Sequence, residues 1–361
     1  MVLSKEPMKP EFFIQIGDGK LFLWNYRRHE QFEIDLSTLT RLVELSRDAS
    51  ELNLCKDHEI AQSKCMNFSY PIDWGWDCLS RIFHIGTQLP HSLSDQGEQC
   101  ADYTGYIEFC NSIADRIPIL TTSRGDGRID LPQPRWKSIR QISVSAALQQ
   151  RYTCRNFSGE PVALELLSDA LWATFGAIHG FNKDEYEEAG FQTFGYRRSS
   201  PSGGCLQPSE PYLIVLNVED IAPGLYHYRS HEHSLGLIGS HIKREDLTRL
   251  LCGQSCAEDL AYGVFITSRF DKMWWKYPHS RAYRVALMDI GCLAQTFQLV
   301  STAQGIQSWL TGYFMDRQVN DLLGLNDTLE SSMFFLGAGK GRGAIARGMH
   351  DALRKFNANC K

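Results

Sequence analysis

Arg197-Arg198-Ser199-Ser200-Pro201-Ser202-Gly203-Gly204 is the stretch on which the reading of this chain turns, with Glu210, Tyr212 and Gly224-Leu225-Tyr226-His227-Tyr228 close behind it. Paired glycines let a backbone approach a planar ligand closely, and serine hydroxyls and amides can donate to the polar edge of a ring. In isolation, Ser200, Pro201, Ser202, Gly203 and Gly204 read as an ordinary Ser/Gly loop. Their setting gives them weight. Upstream lies Arg151-Tyr152-Thr153-Cys154-Arg155-Asn156-Phe157. Downstream lie Trp275-Lys276-Tyr277-Pro278-His279-Ser280-Arg281-Ala282-Tyr283-Arg284 and then Gly337-Ala338-Gly339-Lys340-Gly341-Arg342.

Composition sets the bounds. A length of 361 residues suits two domains or one large one. Apolar and charged fractions of 43% and 22% are ordinary for a globular chain able to bury a sizeable core. A net charge of −5 provides no bulk basic field and argues against a nucleic-acid partner. Met1–Pro7 lacks an apolar signal region, and no apolar run approaches the ~20 residues that span a bilayer, so no membrane segment is expected. Eleven cysteines without a signal favour reduced thiols and a cytoplasmic location. Cys55, Cys65, Cys78, Cys100 and Cys110 are widely spaced and form no C-x-x-C pair, which argues against zinc. Cys252 and Cys256 have the i, i+4 spacing of one helix face and read as two small apolar side chains. His227, His231 and His233 read as exposed histidines on a strand-turn-strand rather than as a metal site.

Turn and breaker residues near 120–140, Gly125-Asp126-Gly127-Arg128 and Pro132-Gln133-Pro134, mark a boundary without periodic apolar residues. Before it, Phe12–Ile16 and Leu21–Tyr26 read as strands flanking a hairpin turn at Gly17–Lys20, and Leu39, Leu42, Val43 and Leu45 follow helical spacing. After it, helices are expected at Val144–Gln150 and Val162–Ala173, a surface loop at Asp184–Glu188, and strands at Tyr212–Leu216, Val264–Thr267 and Met333–Leu336. Tyr283–Gly305 reads as a long helix, apolar over much of its surface, that carries Asp289, Gly291, Cys292 and Gln295. Strands and helices alternate without βαβ periodicity, which predicts the α+β class with a sheet packed by helices.

Two groups carry candidate chemistry. Arg151, Arg155, Lys340 and Arg342 offer charge-assisted donors suited to a phosphate, with solvated surface arginines as the alternative. Gly337-x-Gly339-x-Gly341 superficially matches a dinucleotide fingerprint but opens no βαβ unit. Lys276 and Tyr277 could supply a base if one of them loses its proton readily, with a surface lysine beside a core tyrosine as the alternative. Adjacent residues on a strand point oppositely, so acting together would require a loop or a helix start. Trp274 and Trp275 could desolvate the pair.

The four segments, in this order, resemble the nitroreductase-like flavoprotein superfamily, and within it the SagB-type dehydrogenases, also called McbC-like azoline oxidases. The resemblance covers residues 136–361 well and 1–135 only faintly. It implies an FMN-binding oxidase domain at 136–361; the small N-terminal α+β accessory module at 1–135 is expected, from its position alone, to recognise a substrate or partner. It implies that Arg151, Thr153 and Arg155, with Lys340 and Arg342, hold the FMN phosphate and ribityl chain, Tyr152 standing where a small polar or basic residue is common. Ser200, Pro201, Ser202, Gly203 and Gly204 would line the isoalloxazine and substrate side, and Gly305–Trp309 with Thr311, Gly312 and Tyr313 would form the strand and turn near the ring. Lys276 and Tyr277 match the catalytic Lys-Tyr pair, while Cys292 replaces a common histidine. The implied assembly is a homodimer with FMN at the interface, acting within a biosynthetic complex on a peptide- or carrier-protein-bound substrate. The implied reaction oxidises a thiazoline or oxazoline to a thiazole or oxazole. Another FMN dehydrogenase, an NAD(P)H-dependent nitroreductase, an idle flavoprotein scaffold and a flavin-free peptide-binding protein remain as alternatives at this point.

Overall fold

A computed structural model of the protein describes residues 12–26, 30–45, 78–88, 103–180, 188, 195–239 and 242–359. Residues 1–106 with 279–281 form one compact unit, and 107–278 with 282–361 form the other.

In the first unit, β1 (Phe12–Gly17), β2 (Lys20–Asn25) and β3 (Glu30–Ile34) form an antiparallel sheet in the order β1-β2-β3. Gly17 pairs with Lys20 across the expected turn, where Asp18 and Gly19 take positive φ of 51° and 73°. Such a two-residue turn matches the twist of the strands it joins. Helix α1 (Leu36–Leu45) follows, started by the Asp35 carboxylate, which accepts from the Thr38 amide at 2.7 Å; α2 spans Cys78–Gly86, and α3 spans Tyr103–Ile113. Most of the expected surface loop Asp184–Glu188 lies outside the described residues, as do Cys55, Cys65 and Cys100.

The second unit is built on a seven-stranded antiparallel sheet. Its strands are β4 (Asp126–Asp130), β6 (Ser209–Val215), β7 (Gly224–Arg229), β8 (Ser234–Gly239), β9 (Tyr262–Arg269), β10 (Gln307–Thr311) and β11 (Glu330–Gly339). Their order is β10-β11-β9-β6-β7-β8-β4. Every position of β4 is exposed, so this edge strand, inside the turn-rich stretch before Pro132, leaves no apolar signature in the sequence.

Helices cover both faces. Leu213, Val215, Val264 and Ile266 pack against Leu167, Leu171 and Phe175 of α5 (Leu164–Phe175), and against Ile290, Leu293 and Phe297 of α8 (Arg281–Ala303). The alternate positions Tyr212, Ile214 and Phe265 face Leu247 and Leu250 of α6 (Arg244–Leu250), and Val319 and Leu323 of α9 (Asp316–Leu323). Burial on two faces explains the unbroken apolar run Tyr212–Leu216. Truncating a fully buried side chain such as Phe297 to alanine would cost about 3–5 kcal/mol.

Three expectations change. By length and composition α8 could cross a membrane, although no apolar run of that length was expected; half of its most apolar window is buried, and it packs on the sheet as a core helix. Cys252 and Cys256 share no helix face, because α6 ends at Leu250 and Cys252 sits in the following turn at φ 53°. His227 on β7 and His233 in the turn before β8 are buried rather than exposed, since this part of the sheet is covered. His233 bonds to the Tyr228 hydroxyl and to Ser168 Oγ, both at 2.8 Å. Among the described residues, no cluster of three or more His, Cys, Asp or Glu could hold a metal.

Candidate functional site

The basic segments meet through backbone pairing. Helix α4 (Val144–Gln150), capped by the Ser143 hydroxyl, delivers the chain to Arg151. Thr153 forms a parallel bridge with Ser308 of β10, and the Cys154 amide donates to the Ser308 carbonyl at 3.0 Å. Next, β5 (Asn156–Phe157) pairs with β12 (Gly341–Gly343); the Arg155 amide donates to Gly343 O at 3.1 Å and the Ser158 amide to Lys340 O at 2.9 Å. Thus Arg155–Ser158 and Lys340–Gly343, far apart in sequence, run side by side, while Thr153 and Cys154 lie against β10.

Lys340 is the single link between β11 and β12, and the glycines of this segment serve packing. A β-carbon on Gly341 would lie 2.6 Å from Cys154 Sγ, and one on Gly337 would lie 2.8 Å from Leu260. Arg155, Lys340 and Arg342 are exposed and Arg151 is half-buried. Lys340 lies 3.5 Å from Glu160, whereas among the described residues no carboxylate pairs with Arg151, Arg155 or Arg342. That surplus of cations, two of them close in chain to backbone donors, fits a phosphate dianion. Tyr152 is exposed and adds no charge.

Thr311 ends β10; its hydroxyl donates to Gln254 Oε1 at 3.2 Å and accepts from the Tyr313 amide at 3.0 Å. Gly312 is exposed, and a β-carbon there would meet only the Phe334 ring at an ordinary 3.6 Å.

The Ser-Gly loop forms a second group with α7 (Phe270–Lys276) and α8. Ser200 Oγ bonds to Thr296 Oγ1 at 2.7 Å, and Pro201 is exposed. Ser202 Oγ donates to Asp289 Oδ2 at 2.7 Å, and the Gly203 amide donates to Asp289 Oδ1 at 3.1 Å. These donors, expected to face a ring, are directed inward, because buried Asp289 must be satisfied by hydrogen bonds. Burial pushes the Asp289 carboxyl up, against the pull of Ser202 and Gly203. Gly203 lies tight against Val285, and Gly204, at φ 60°, tight against the Tyr277 hydroxyl.

Lys276 is the last residue of α7, and Tyr277 caps it, its amide donating to Met273 O at 2.9 Å. A helix end, not a helix start, brings the pair together. Lys276 is 5% exposed, and its Nζ lies 5.8 Å from the Tyr277 ring centroid. Tyr277 packs with Trp275 and Val285 on a small core of Leu206, Met273, Ala282 and Ala286. Trp274 is exposed and does not enclose the pair; Trp275 is partly buried, its indole donating to Ile113 O at 3.1 Å.

Sequence reading gave no role to Lys272, one helical turn before Lys276. It is 1% exposed, donates to Gln207 O at 3.0 Å and lies 3.7 Å from Glu210 Oε1. Burial lowers its pKa to about 8 despite Glu210. Burial alone would raise Glu210, but His227, whose Nε2 lies 3.5 Å from Oε2, and the Lys272 charge outweigh it and hold the carboxyl at about 2. Arg124, Tyr212 and Thr267 surround neighbouring Glu330 in the same buried network. Two charged positions four apart on a short helix were the available signal for Lys272.

Comparison with known proteins follows this geometry. The sequence profile of the Nitroreductase family matches residues 148–340, more than half of the chain. The chain belongs to the nitroreductase family. This nitroreductase-family chain is 25% identical over 189 residues to MJ1384 of Methanocaldococcus jannaschii, a protein named as a nitroreductase, covering 52% of this chain and 88% of that one. It is 31% identical over 137 residues to the microcin B17-processing protein McbC of Escherichia coli, covering 36% of this chain and 49% of McbC. It therefore spans about half the length of this second relative. A crystal structure of a protein from Anabaena variabilis, also named as a nitroreductase, matches at TM-score 0.50 and 24% identity over 60% of this chain and 42% of that one, and shows the shared fold.

Proposed function

We propose that this nitroreductase-family protein is an FMN-dependent oxidase that converts a peptide- or carrier-bound thiazoline or oxazoline to the aromatic azole. The observation that carries the reading is Tyr277 seated on Gly204 with the buried Lys276 amine beside its ring. A reductase fed by a nicotinamide needs no carbon base, whereas azoline oxidation must remove a proton from a ring carbon along with a hydride equivalent.

Arg151, Thr153, Arg155, Lys340 and Arg342 would hold the FMN phosphate and ribityl end. Ser200–Gly204 and Thr311-Gly312 would border the ring, where Gly312 meets no close neighbour of its own that requires a glycine. Bound there, FMN would supply the hydride acceptor, with dioxygen as the final oxidant. The chain's own residues do the rest. Lys276 or Tyr277 takes the proton from the substrate carbon, and the loop beneath Tyr277 fixes where that hydroxyl stands.

The working unit is a homodimer with FMN at the interface, supported by exposed Leu287 and Met288 on the outer side of core helix α8. Similarity to a microcin B17-processing protein supports a peptide substrate and a biosynthetic complex, with the N-terminal module as the recognition part.

Anaerobic absorbance of the FMN-loaded protein tests the reading. A synthetic thiazoline peptide should bleach the flavin band, and NADH or NADPH should not. Rapid bleaching by NADH or NADPH alone would make the protein a reductase and remove Lys276 and Tyr277 from the chemistry.

A further inference from the structure

Asp289 on α8 is 6% exposed; among the described residues no cation pairs with it at contact distance, and the Arg198 guanidinium acts on it only from farther off. A carboxylate buried without a counter-charge costs free energy unless hydrogen bonds offset it. Its partners here are all on one short segment, the Ser202 hydroxyl at 2.7 Å and the Gly203 amide at 3.1 Å. The Ser202 oxygen in turn accepts from the Gln207 amide at 3.0 Å, and Gln207 O accepts from Lys272 Nζ at 3.0 Å. The loop is thus pinned at one end by a carboxylate of α8 and at the other by an amine of α7. Between the pins lies Gly204, on which the Tyr277 hydroxyl rests.

We propose that Asp289 is a positioning residue. It fixes the Ser202–Gly204 backbone and, through Gly204, the place of the Tyr277 hydroxyl in the site. The proposal rests on the oxidase reading for its chemical consequence but not for the clamp itself. The hydrogen bonds of Asp289 go to this loop, so it acts through Gly204 and Tyr277 rather than on reacting atoms. Its loss displaces the floor beneath Tyr277 while leaving the basic ribbon of β5 and β12 intact, so turnover falls while affinity for FMN persists.

Asp169 provides the control. It is likewise buried and bonded to neutral donors, the Arg135 amide at 3.0 Å and the Ser138 hydroxyl at 2.7 Å, but it pins a different segment.

The experiment compares wild type, Asp289→Asn, Asp289→Ala and Asp169→Asn after incubation with FMN. The readouts are amide hydrogen exchange over residues 200–207, visible circular dichroism of the flavin, and kcat and KM on the thiazoline peptide. Asp289→Asn keeps one acceptor oxygen and should speed exchange in the loop about tenfold, with Asp289→Ala faster still, as expected for losing hydrogen bonds to a charged group. Flavin dichroism and kcat should change with KM little altered, and Asp169→Asn should leave the loop as in wild type. If Asp289→Ala does not fold, the isosteric Asp289→Asn carries the test. Wild-type exchange and dichroism in both Asp289 variants, or equal loosening by Asp169→Asn, would overturn the proposal. If wild type takes up no FMN, the oxidase reading fails, and exchange in the loop still decides whether Asp289 is the clamp.

Discussion

The hydroxyl of Tyr277 rests on Gly204 so closely that a β-carbon at the glycine would lie 2.5 Å from the phenol oxygen and 3.0 Å from the ring. Helix α7 and the Ser-Gly loop are therefore fitted to each other through two residues 73 positions apart, one supplying an aromatic end group and the other the absence of a side chain.

Substituting Gly204 tests that fit. Gly204→Ala meets both the contact and the strain of φ 60°, and should destabilise by about 1–3 kcal/mol. Tyr277→Phe removes the nearest atom, so the double variant should be more stable than the two single effects together predict. Denaturant unfolding of the four proteins measures this coupling, and strictly additive energies would show that the hydroxyl does not fill the space.

Alanine at Arg151, Arg155, Lys340 or Arg342 should weaken FMN binding about 10- to 100-fold each, the worth of a charge-assisted hydrogen bond to phosphate. Riboflavin, which lacks the phosphate, should bind these variants nearly as it binds wild type. Isothermal titration with both ligands is the measurement. An equal loss for riboflavin would move these residues away from the phosphate end.

Lys272→Met should destabilise the protein by about 3–5 kcal/mol, because it leaves the Glu210 carboxylate buried with His227 at 3.5 Å as its remaining basic neighbour within 4 Å. Lys272→Met combined with Glu210→Gln should recover part of that loss. Thermal unfolding of both variants tests this, and a double variant no more stable than Lys272→Met would count against the pairing.

The same pair sets a pH dependence. Glu210 is held at about 2 when folded against an ordinary 4.5, so its stabilisation is present above pH 4.5 and is lost as pH falls toward 2. Lys272 has the opposite history: its folded pKa of about 8 is below an ordinary 10.5, so the unfolded chain holds a proton that the folded chain has released. Across that window the lysine's burial penalty fades and stability rises with pH. The stability of wild type relative to Lys272→Met should therefore increase from pH 8 to 10.5. A flat difference in chemical denaturation across that window would mean that Lys272 titrates normally.

Much was legible in the sequence because it is local. The hairpin at Gly17–Lys20, the strand at Tyr212–Leu216 and the long helix carrying Asp289 follow from turn chemistry and apolar patterning within each segment. The residue types at Arg151–Arg155, Ser200–Gly204, Lys276–Tyr277 and Lys340–Arg342, together with their order, pointed to the family. The β4 edge strand was not legible, since none of its residues is buried. Nor was the burial of His227 and His233, because whether a strand or the turn beside it is covered depends on what packs over it.

What the sequence by itself determined, then, is the inventory: the elements, the basic and Ser-Gly segments and the Lys-Tyr pair. Only the tertiary structure decided their pairings. The β5–β12 ladder brings two basic segments together across some 185 residues, Asp289 takes the donors of the Ser-Gly loop, and Lys272 buries its charge against Glu210. The physical reason is that hydrogen-bond and charge satisfaction in the interior is settled between distant segments, and local residue patterns do not say which distant partner each polar group will find.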